Sequence, residues 1–492
     1  MNEPNSADKY VQHFKEQVVF LTGATGSLGG CLLYKLALRL PTKKIYVLCR
    51  GSIADAVRKW ESTMPQQIED ILDSGKVELI AGDLSKPGLG LDPLIRQKMH
   101  DEVTSIINTA ANISLVEDLE KSVRDNCQTA VALLQIANQF PHVQHFVHFS
   151  SLAVNSFLPG GVVEERLYPS PGSVGEIEEL AGQPGADPSK VSLDERYAWP
   201  YGHAKHIAER LLLGGSSAVP VLIIRPAAIG PAIAEPFPLY GPDKAIPMHT
   251  LLLCFSMSDL NRVGNTEHVF EEVPVDLVAN CCLLHIANKS TGVVQCASPL
   301  YVAQTAAEMM STARECLSPS EMAEIFRNQR STTALLWQNR YNLENIGETP
   351  NWHVQCTRSE YQKTITGLLA LVPSGHDPKL HLRRRIRRMY RVLLAVASGI
   401  ATSIILETIL LRRGPDRLPW KLAARTAMGM SLVSMLAMEA AENVVDYHLT
   451  GGVVALDDPK FWMAAMVSVG AGFLAPLPYN YWRLKVYGRA CH

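Results

Sequence analysis

Between Gln17 and about Cys296 the sequence alternates short apolar runs with longer stretches of helical character, and this rhythm constrains the fold more than any other feature. The short runs are rich in β-branched residues and apolar throughout, as expected for strands buried on both faces of a parallel sheet. The rhythm predicts an α/β fold with a doubly wound parallel sheet of about seven strands. We place these strands at Val18–Leu21, Lys44–Leu48, Val77–Ala81, Ser105–Asn108, His145–Phe149, Val219–Ile224 and Val293–Gln295.

The rhythm stops near Leu300, and this change divides the chain of 492 residues into three predicted parts. Residues 10–300 are expected to form the α/β domain and residues 301–378 a helical region. Residues 379–492 form a hydrophobic C-terminal region that begins with a basic run. Because a chain of this length exceeds what one core usually organises, we expect the α/β domain to carry a mainly helical appended unit.

The C-terminal region contains a segment that is typical of a membrane anchor. Val392–Leu411 has Glu407 as its only formal charge, and a helix of about 20 residues reaches roughly the 30 Å thickness of a hydrocarbon core. Basic clusters flank the segment at Lys379–Arg391 and Arg412–Arg417, where lipid headgroups would favour them. We expect a membrane segment here. A buried helix of a globular domain, or a hairpin with a later apolar stretch, is the alternative.

Charge and cysteine usage exclude several classes of function. The formal net charge of -2 gives no general attraction to nucleic acid, and the 10 cysteines lack the spacing of a metal site. Met1–Lys9 is too polar for a secretory signal. We therefore expect no nucleic-acid partner, no metal, and an α/β domain with reduced cysteines that faces the cytosol.

The first predicted strand runs into a glycine-rich turn that is typical of dinucleotide binding. Glycines are needed there because the backbone must approach a pyrophosphate and the next helix must pack close to the strand. The helix start then offers free N–H groups to the phosphates. Taken alone, the glycines would also be consistent with an ordinary strand-to-helix turn that binds no nucleotide. The expected cofactor contacts are Thr22, Gly23, Thr25, Gly26, Ser27, Leu28 and Gly29.

The residues after the second and third predicted strands bear on which nicotinamide cofactor binds. Arg50 follows the second strand, where a carboxylate would be expected for NAD. A guanidinium suits a 2′-phosphate, so the sequence predicts NADPH, with a solvated arginine as the alternative. Asp83, followed by Leu84, is a candidate acceptor for the adenine amino group, and a simple turn aspartate is its alternative.

A YxxxK pattern on a predicted helix points to proton-transfer chemistry. Tyr201 and Lys205 are four residues apart, which places both side chains on one helix face. A phenol is a weak acid, and a nearby ammonium helps it to release a proton. Ser150 and Ser151 follow the fifth predicted strand, where one hydroxyl would donate to a substrate carbonyl. These residues predict a reductase or dehydrogenase site, with either serine as the active hydroxyl.

The order of glycine loop, serine, YxxxK pattern and strands resembles the extended short-chain dehydrogenase/reductases, which have a Rossmann fold. This resemblance matches Ser151 to the hydroxyl that binds the substrate carbonyl and Tyr201 to the catalytic acid. It matches Lys205 to the lysine that assists this acid. Asn126 matches a helix asparagine that supports a proton-relay water, with a surface helix position as the alternative. His203 is expected on the helix surface without a role. Further cofactor contacts are expected at Tyr201, Lys205, Ala110 and Pro226.

Additional segments resemble the fatty acyl-CoA reductase branch of these enzymes, and the resemblance covers about residues 10–300. Ser27 stands where that branch usually has an aromatic residue. The matching segments are Phe20–Gly29, Phe146–Asn155, Glu164–Pro169, Trp199–Lys205, Arg225–Pro238 and Val273–Asn280.

The resemblance implies NADPH-dependent reduction of long-chain acyl-CoA to fatty alcohol, with aldehyde as the alternative product. The apolar C-terminal segment with its basic flanks predicts membrane lipid as a partner, and we expect an intracellular membrane of the endoplasmic reticulum or peroxisome type. A homo-oligomer is left open. The competing functions are a carrier-protein thioester reductase, a membrane-tethered sterol or sugar-nucleotide dehydrogenase, and a catalytically silent nucleotide sensor.

Overall fold

The computed structural model describes residues 6–115, 117–171, 194–215, 217–241, 269–318 and 352–388, with scattered helical positions between 390 and 474. The chain divides into two compact units. The first takes in the described residues up to Glu315 and then residues 352–383. The second takes in residues 316–318 and the described positions from Arg384 onward.

The first unit is built on a parallel sheet. The strands of the described chain are β1 Val18–Thr22, β2 Lys44–Cys49, β3 Val77–Ala81, β4 Ser105–Asn108, β5 His145–Phe149, β6 Gly161–Val163, β7 Val221–Pro226, β8 Ala228–Gly230, β9 Val269–Phe270, β10 Glu272–Pro274, β11 Gly292–Cys296, β12 Gln304–Thr305 and β13 Trp352–Val354. The sheet has the order β3-β2-β1-β4-β5-β7-β11, so the predicted doubly wound sheet of seven strands is confirmed. The predicted sixth strand begins at Val221 rather than Val219, after Pro220, which has no N–H for a strand ladder.

Helices connect the strands and cover both faces of the sheet. The described helices are α1 Ser6–Gln12, α2 Ser27–Tyr34, α3 Ile53–Thr63, α4 Ile68–Asp73, α5 Pro93–Glu102, α6 Leu119–Ser122, α7 Thr129–Ala137, α8 Pro200–Gly214, α9 Val275–Ala287 and α10 Ala306–Cys316. Two π-helical turns interrupt this pattern, Lys35–Arg39 after α2 and Val123–Gln128 between α6 and α7.

Alternate residues of each strand face two separate cores, as the period of two in a strand requires. One core contains Leu21 of β1 and packs under α2 and α9. The other contains Phe20 of β1 and Phe146 of β5 and packs under α5, α7 and α8. Because successive side chains of a central strand are buried on opposite faces, these strands read as unbroken apolar runs.

The strand order creates a switch point between β1 and β4. From β1 the chain proceeds to β2 and β3 on one side, and then returns to place β4 on the other side of β1. Connections that diverge in this way leave a crevice at the carboxyl ends of the two strands, where ligands of such sheets bind. The glycine loop after β1 lies at this crevice.

The first unit continues past residue 300, where the helical region was expected to begin. Trp352–Val354 pair with Gly161–Val163, and the 3-10 helix Thr357–Thr364 packs near β11. The edge strand β11 pairs with β7 on one side, so the backbone N–H and C=O groups on its other side need other hydrogen-bond partners. The alternation of strands and helices in the sequence predicts the repeating βα units of the sheet. It does not predict the later segment that covers the last strand, β11.

The predicted membrane segment Val392–Leu411 lies outside the described residues, apart from positions 408, 409 and 411. Within the part of the chain that the structure describes, no helix is both long and apolar enough to span a bilayer.

Candidate active site

The loop between β1 and α2 is built around glycines at places where a side chain would collide with backbone. A Cβ on Gly23 would lie 2.5 Å from the Ala110 nitrogen, and a Cβ on Gly29 would lie 2.3 Å from the Gly23 oxygen. Gly23 also has a φ of 71°, in the left-handed region that favours glycine. Gly26 precedes α2 and supplies no side-chain cap, so the first N–H groups of the helix are open to a ligand. This glycine cradle, residues 23–29, fits a dinucleotide pyrophosphate.

Other predicted cofactor contacts border the glycine cradle. Thr25, Ser27 and Leu28 are half-buried on the loop and the first turn of α2. Ala110, whose nitrogen approaches Gly23, is half-buried, and Pro226 is buried at the end of β7. Their contact with a cofactor stays a prediction.

Two contacts that the sequence did not indicate hold the cradle in place. Trp60 of α3 donates from Nε1 to the Ala24 oxygen at 2.9 Å, and Thr109 donates from Oγ1 to the Thr22 oxygen at 2.7 Å. The Thr22 hydroxyl itself donates to Asn108 Oδ1 at 2.7 Å, inside the sheet. The available signal for Trp60 was that it is the one aromatic residue of helix α3.

Arg50 and Asp83 follow the neighbouring strands β2 and β3. The Asp83 carboxylate accepts from the nitrogen of Ser85 at 2.9 Å and from its hydroxyl at 2.8 Å. These bonds, with the smaller effect of the nearby Arg50 charge, lower the pKa of Asp83. Asp83 therefore closes its own turn, and Leu84 beside it is half-buried. Arg50 is exposed. The adenine contact and the 2′-phosphate contact stay predictions.

Ser151, Tyr201 and Lys205 come together beyond the carboxyl end of β5, and we call them the Ser-Tyr-Lys group. The Ser151 hydroxyl lies close enough to the Tyr201 phenol to lower its pKa. Helix α8 approaches the turn after β5 closely because Gly202 has no side chain, and a Cβ there would lie 2.6 Å from the Ala153 oxygen. The spacing of the motif and the close approach of α8 together assemble the group.

Burial governs the protonation of the two ionisable members. It raises the pKa of Tyr201 to about 12, and the nearby Ser151 hydroxyl opposes this rise only in part. It lowers the pKa of Lys205 to about 8, against the charge of Glu209. Lys205 donates from Nζ to the Phe149 oxygen at 2.9 Å. Near neutral pH the phenol is therefore protonated and the amine is mostly an ammonium.

The two adjacent serines have different surroundings. Ser150 donates from its nitrogen to the Ile224 oxygen at 2.8 Å, and its buried Oγ has no hydrogen-bond partner among the described residues. Ser151 starts the turn after β5, where its Oγ accepts from the Ala153 nitrogen at 3.2 Å. Since Ser151 is also the serine that influences the pKa of Tyr201, it is the better candidate for the active hydroxyl.

Asn126 lies in the π-helical turn between α6 and α7 and is 1% exposed. The surface position considered as its alternative is therefore wrong. Its Oδ1 accepts from the Asn112 nitrogen and its Nδ2 donates to the Asn112 oxygen, both at 2.9 Å. Asn126 thus clamps the loop that follows β4, and its part in a proton relay stays a prediction.

The expectation that His203 lies on the helix surface is wrong. The residue is 2% exposed, and its ring stacks on Tyr197 with the centroids 4.2 Å apart. The Tyr197 hydroxyl is 2.6 Å from His206 Nδ1. Burial lowers the pKa of His203 to about 4. The segment before α8 covers this face of the helix, which the helical period of α8 by itself does not reveal.

Glu165, in the EERLYP segment, is a framework residue. Its carboxylate accepts from the nitrogens of Gln295 at 2.8 Å and Arg358 at 2.6 Å. It also accepts from the Thr357 hydroxyl at 3.0 Å. Glu165 therefore joins the chain after β6 to the edge strand and to the residues that cover that edge.

The EPFP segment, Glu235–Pro238, is fixed against the π-helical turn Lys35–Arg39 that follows α2. The Glu235 carboxylate pairs with Lys35 and, at 2.8 Å, with Nε of Arg39. The backbone nitrogens of residues 233–235 donate to the Asp276 carboxylate at 2.8 to 3.2 Å. This motif therefore anchors the connection after β8 rather than supplying a reacting group.

A family model described as male sterility protein, an NAD-binding domain, matches residues 21–282, more than half of the chain. The chain belongs to this family. The matched range contains the glycine cradle and the Ser-Tyr-Lys group. A second model, described as a domain of unknown function, matches residues 381–489.

Curated relatives confirm the resemblance to fatty acyl-CoA reductases. The chain is 29% identical over 275 residues to a putative fatty acyl-CoA reductase of Drosophila melanogaster, covering 53% of each chain. It is 27% identical over 284 residues to fatty acyl-CoA reductase 2 of Homo sapiens, covering 54% of this chain and 53% of the relative. The chain spans about half the length of these curated relatives.

Solved structures support the fold. The reductase domain of a nonribosomal peptide synthetase from Mycobacterium tuberculosis superposes with a TM-score of 0.54 and 19% identity, covering 80% of this chain and 96% of that one. A thiolation-reductase di-domain from an archaeal nonribosomal peptide synthetase has a TM-score of 0.52 and 16% identity, covering 80% and 98%. At such identities the likeness shows the fold alone.

Proposed function

We propose that this chain reduces fatty acyl thioesters, with acyl-CoA as the substrate and NADPH as the cofactor, to fatty alcohol. Release of the aldehyde is the alternative end of the reaction. The observation that carries the proposal is the meeting of Ser151, Tyr201 and Lys205 beside the glycine cradle, in a chain of the male sterility protein family. The names of the curated relatives favour acyl-CoA.

The cofactor would lie across the carboxyl ends of β1 and β4. When bound, NADPH supplies the hydride that the reduction consumes. The glycine cradle would hold the pyrophosphate, Arg50 the 2′-phosphate and Lys205 the nicotinamide ribose. The fit rests on the tight turn of the cradle, which Cβ atoms at Gly23 and Gly29 would disrupt by colliding with backbone.

Ser151 and Tyr201 would act on the oxygen of the thioester carbonyl. As the carbonyl is reduced, its oxygen gains negative charge, which two hydroxyl donors stabilise in a site with little water. The raised pKa of Tyr201 keeps the phenol protonated, which suits a donor to an alkoxide. Collapse of the tetrahedral intermediate expels the CoA thiolate and leaves the aldehyde. In a second reduction Tyr201 would give its proton to the alkoxide and yield the alcohol.

The full-length protein tests this proposal in an NADPH oxidation assay with alternative substrates. The panel contains a long-chain acyl-CoA, the same acyl group on a carrier protein, a fatty aldehyde, a sterol and a sugar nucleotide, with mass spectrometry of the products. Oxidation that depends on acyl-CoA and yields alcohol or aldehyde supports the proposal. Turnover of the carrier-protein thioester alone would show that the substrate is a carrier-protein thioester and not acyl-CoA. Turnover of the sterol or sugar nucleotide alone would overturn the proposal.

We also propose that the C-terminal region attaches the protein to an intracellular membrane of the endoplasmic reticulum or peroxisome type, with the α/β domain on the cytosolic side. The sequence of Val392–Leu411 with its basic flanks supports this. Exposed apolar side chains at Trp420, Met463 and Met466 add to the argument. The full chain should resist carbonate extraction, whereas a fragment ending near Asp377 should be released. Full-length protein in the soluble fraction without detergent contradicts the proposal.

A further inference from the structure

Glu209 of α8 and Arg225 of β7 form an ion pair in which both side chains are fully buried. Arg225 donates from Nε to the two carboxylate oxygens at 2.9 and 3.1 Å. It also donates from Nη1 to the Arg166 oxygen at 3.0 Å. The desolvation of a buried ion pair largely cancels its attraction, and apolar residues of similar shape often stabilise a fold as well. Stability is therefore a weak reason for this pair.

The spacing along α8 places Glu209 on the side of the helix that carries Tyr201 and Lys205. Glu209 follows Lys205 by four residues, as Lys205 follows Tyr201, so the three side chains lie toward one side of the helix. Lys205 is 1% exposed, and burial is the main influence on its charge.

Three elements bring titratable groups close to Lys205. These are Glu209 on α8, Cys127 in the π-helical turn and His148 on β5. His148 is fully buried, and burial holds its pKa well below the usual range, so this ring is neutral near pH 7. Of these three groups, Glu209 supplies the negative charge that faces the ammonium.

We infer that Glu209 is a positioning residue that keeps Lys205 in its ammonium form, and that Arg225 holds the Glu209 carboxylate in place for this purpose. The inference rests on the proposed function, in which the ammonium is the working form of Lys205. Arg225 is itself tied to the Arg166 oxygen, so the carboxylate is restrained from β7 and from the chain after β6. The pair thus connects the framework of the sheet to the charge of the active site.

The sign of the expected pH effect follows from the buried position of Lys205. Its pKa is lowered to about 8, and Glu209 raises it against the larger effect of burial. The ammonium is therefore lost as the pH rises through about 8. Without the Glu209 charge, burial acts unopposed and Lys205 loses its proton at a lower pH. A partner charge at short range typically moves such a transition by about one pH unit.

The test measures the dissociation constant of NADPH against pH, by quenching of protein fluorescence, together with the pH profile of kcat. The main variant is the double substitution Glu209→Leu with Arg225→Met, which removes both charges at similar volume and leaves no unpaired buried ion. Glu209→Gln tests the carboxylate alone, and Glu209→Asp keeps the charge. The control is Glu102→Gln, which breaks the Glu102–Lys44 pair at the start of β2, at the amino edge of the sheet.

We expect wild-type NADPH binding to weaken as the pH rises through about 8, and the same transition about one pH unit lower in the double variant. Glu209→Asp and the Glu102→Gln control should keep the wild-type midpoint. A folded double variant with an unchanged midpoint, or an equal shift in the control, overturns the inference. Because the binding titration needs no substrate, it still decides the question if no acyl thioester is reduced, and the two failures are distinguishable.

Discussion

The glycine cradle and the Ser-Tyr-Lys group lie at the same edge of one sheet, but different physical means shape them. The cradle exists because side chains are absent at Gly23 and Gly29, where a Cβ would collide with backbone. The Ser-Tyr-Lys group consists of full-size polar side chains, and burial shifts the pKa of Tyr201 and of Lys205 in opposite directions. Steric exclusion does not depend on pH, whereas protonation does. The glycine cradle and the Ser-Tyr-Lys group should therefore respond differently to substitution and to acid.

Of the substitutions considered, Tyr201→Phe should distinguish the Ser-Tyr-Lys group from the glycine cradle most clearly. Removing the phenol hydroxyl takes away the proton donor, so kcat with acyl-CoA should fall by about 1000-fold. NADPH binding should change little, because Tyr201→Phe leaves both the glycine cradle and Lys205 unaltered. Turnover assays and fluorescence titration measure the two quantities.

Two serine variants serve as the matched controls for that experiment. Ser151→Ala should lower kcat strongly, since the Ser151 hydroxyl lies close to the Tyr201 phenol and lowers its pKa. Ser150→Ala should stay near wild type. Near wild-type turnover of Tyr201→Phe would remove the phenol from the mechanism, and a larger loss in Ser150→Ala than in Ser151→Ala would exchange the serine assignments.

Gly23→Ala should damage the cradle through backbone geometry. Both the φ of 71° and the 2.5 Å approach of the Ala110 nitrogen oppose a Cβ. We expect a loss of about 3 kcal/mol in the free energy of unfolding. Gly75→Ala is the control, because Gly75 has the same φ of 71° but a Cβ there would meet no atom within 4 Å. It should lose about 1 kcal/mol. Equal losses in urea denaturation would show that backbone strain, not close approach, decides the requirement for glycine.

Arg50→Asp should change the cofactor preference while the Ser-Tyr-Lys group stays intact. A carboxylate would repel a 2′-phosphate and accept from the free hydroxyl of NADH, so the ratio of the kcat/KM values for NADPH and NADH should fall by at least about tenfold. Steady-state kinetics with both cofactors measures the ratio. An unchanged ratio would place the phosphate contact at another residue.

His203→Phe should leave the active site unchanged and alter only the response of the fold to acid. The pKa of His203 is lowered to about 4 in the folded chain, so between that value and the unfolded value of about 6.5 the unfolded state binds more protons. Stability is therefore full above pH 6.5 and is lost as the pH falls. His203 should account for about 2 kcal/mol of loss between pH 7 and 5.

Urea denaturation at the two pH values measures this loss. The His203→Phe variant should lose less stability on acidification than the wild type, while a change at the exposed His142 to Gln should leave the loss unaltered. Part of the loss should persist, because burial also lowers the pKa of His148 and His206. Equal losses in wild type and His203→Phe would contradict the assignment.

The features that the sequence predicted are those encoded by neighbouring residues. Strands buried on both faces appear as apolar runs, glycine requirements appear within one loop, and the four-residue spacing of Tyr201 and Lys205 appears within one helix. The burial of His203 depends on Tyr197, outside α8, and the partner of Glu209 is on β7. Both contacts reach beyond the ends of α8, so the helical period of α8 does not indicate them.

The residues that cover the outer side of β11 limit where the chain can be truncated or joined to another protein. The outer side of that strand is occupied by side chains, since Arg358 donates from Nη1 to the Val293 oxygen at 2.7 Å and Glu165 accepts from the Gln295 nitrogen at 2.8 Å. A bare strand edge recruits strands from other molecules and leads to aggregation. A recombinant fragment cut at residue 300, where the βα rhythm ends, would lack Arg358 and present that edge to solvent. A shortened or chimeric form of the α/β domain therefore has to retain the segment that runs through Leu371 to remain monodisperse.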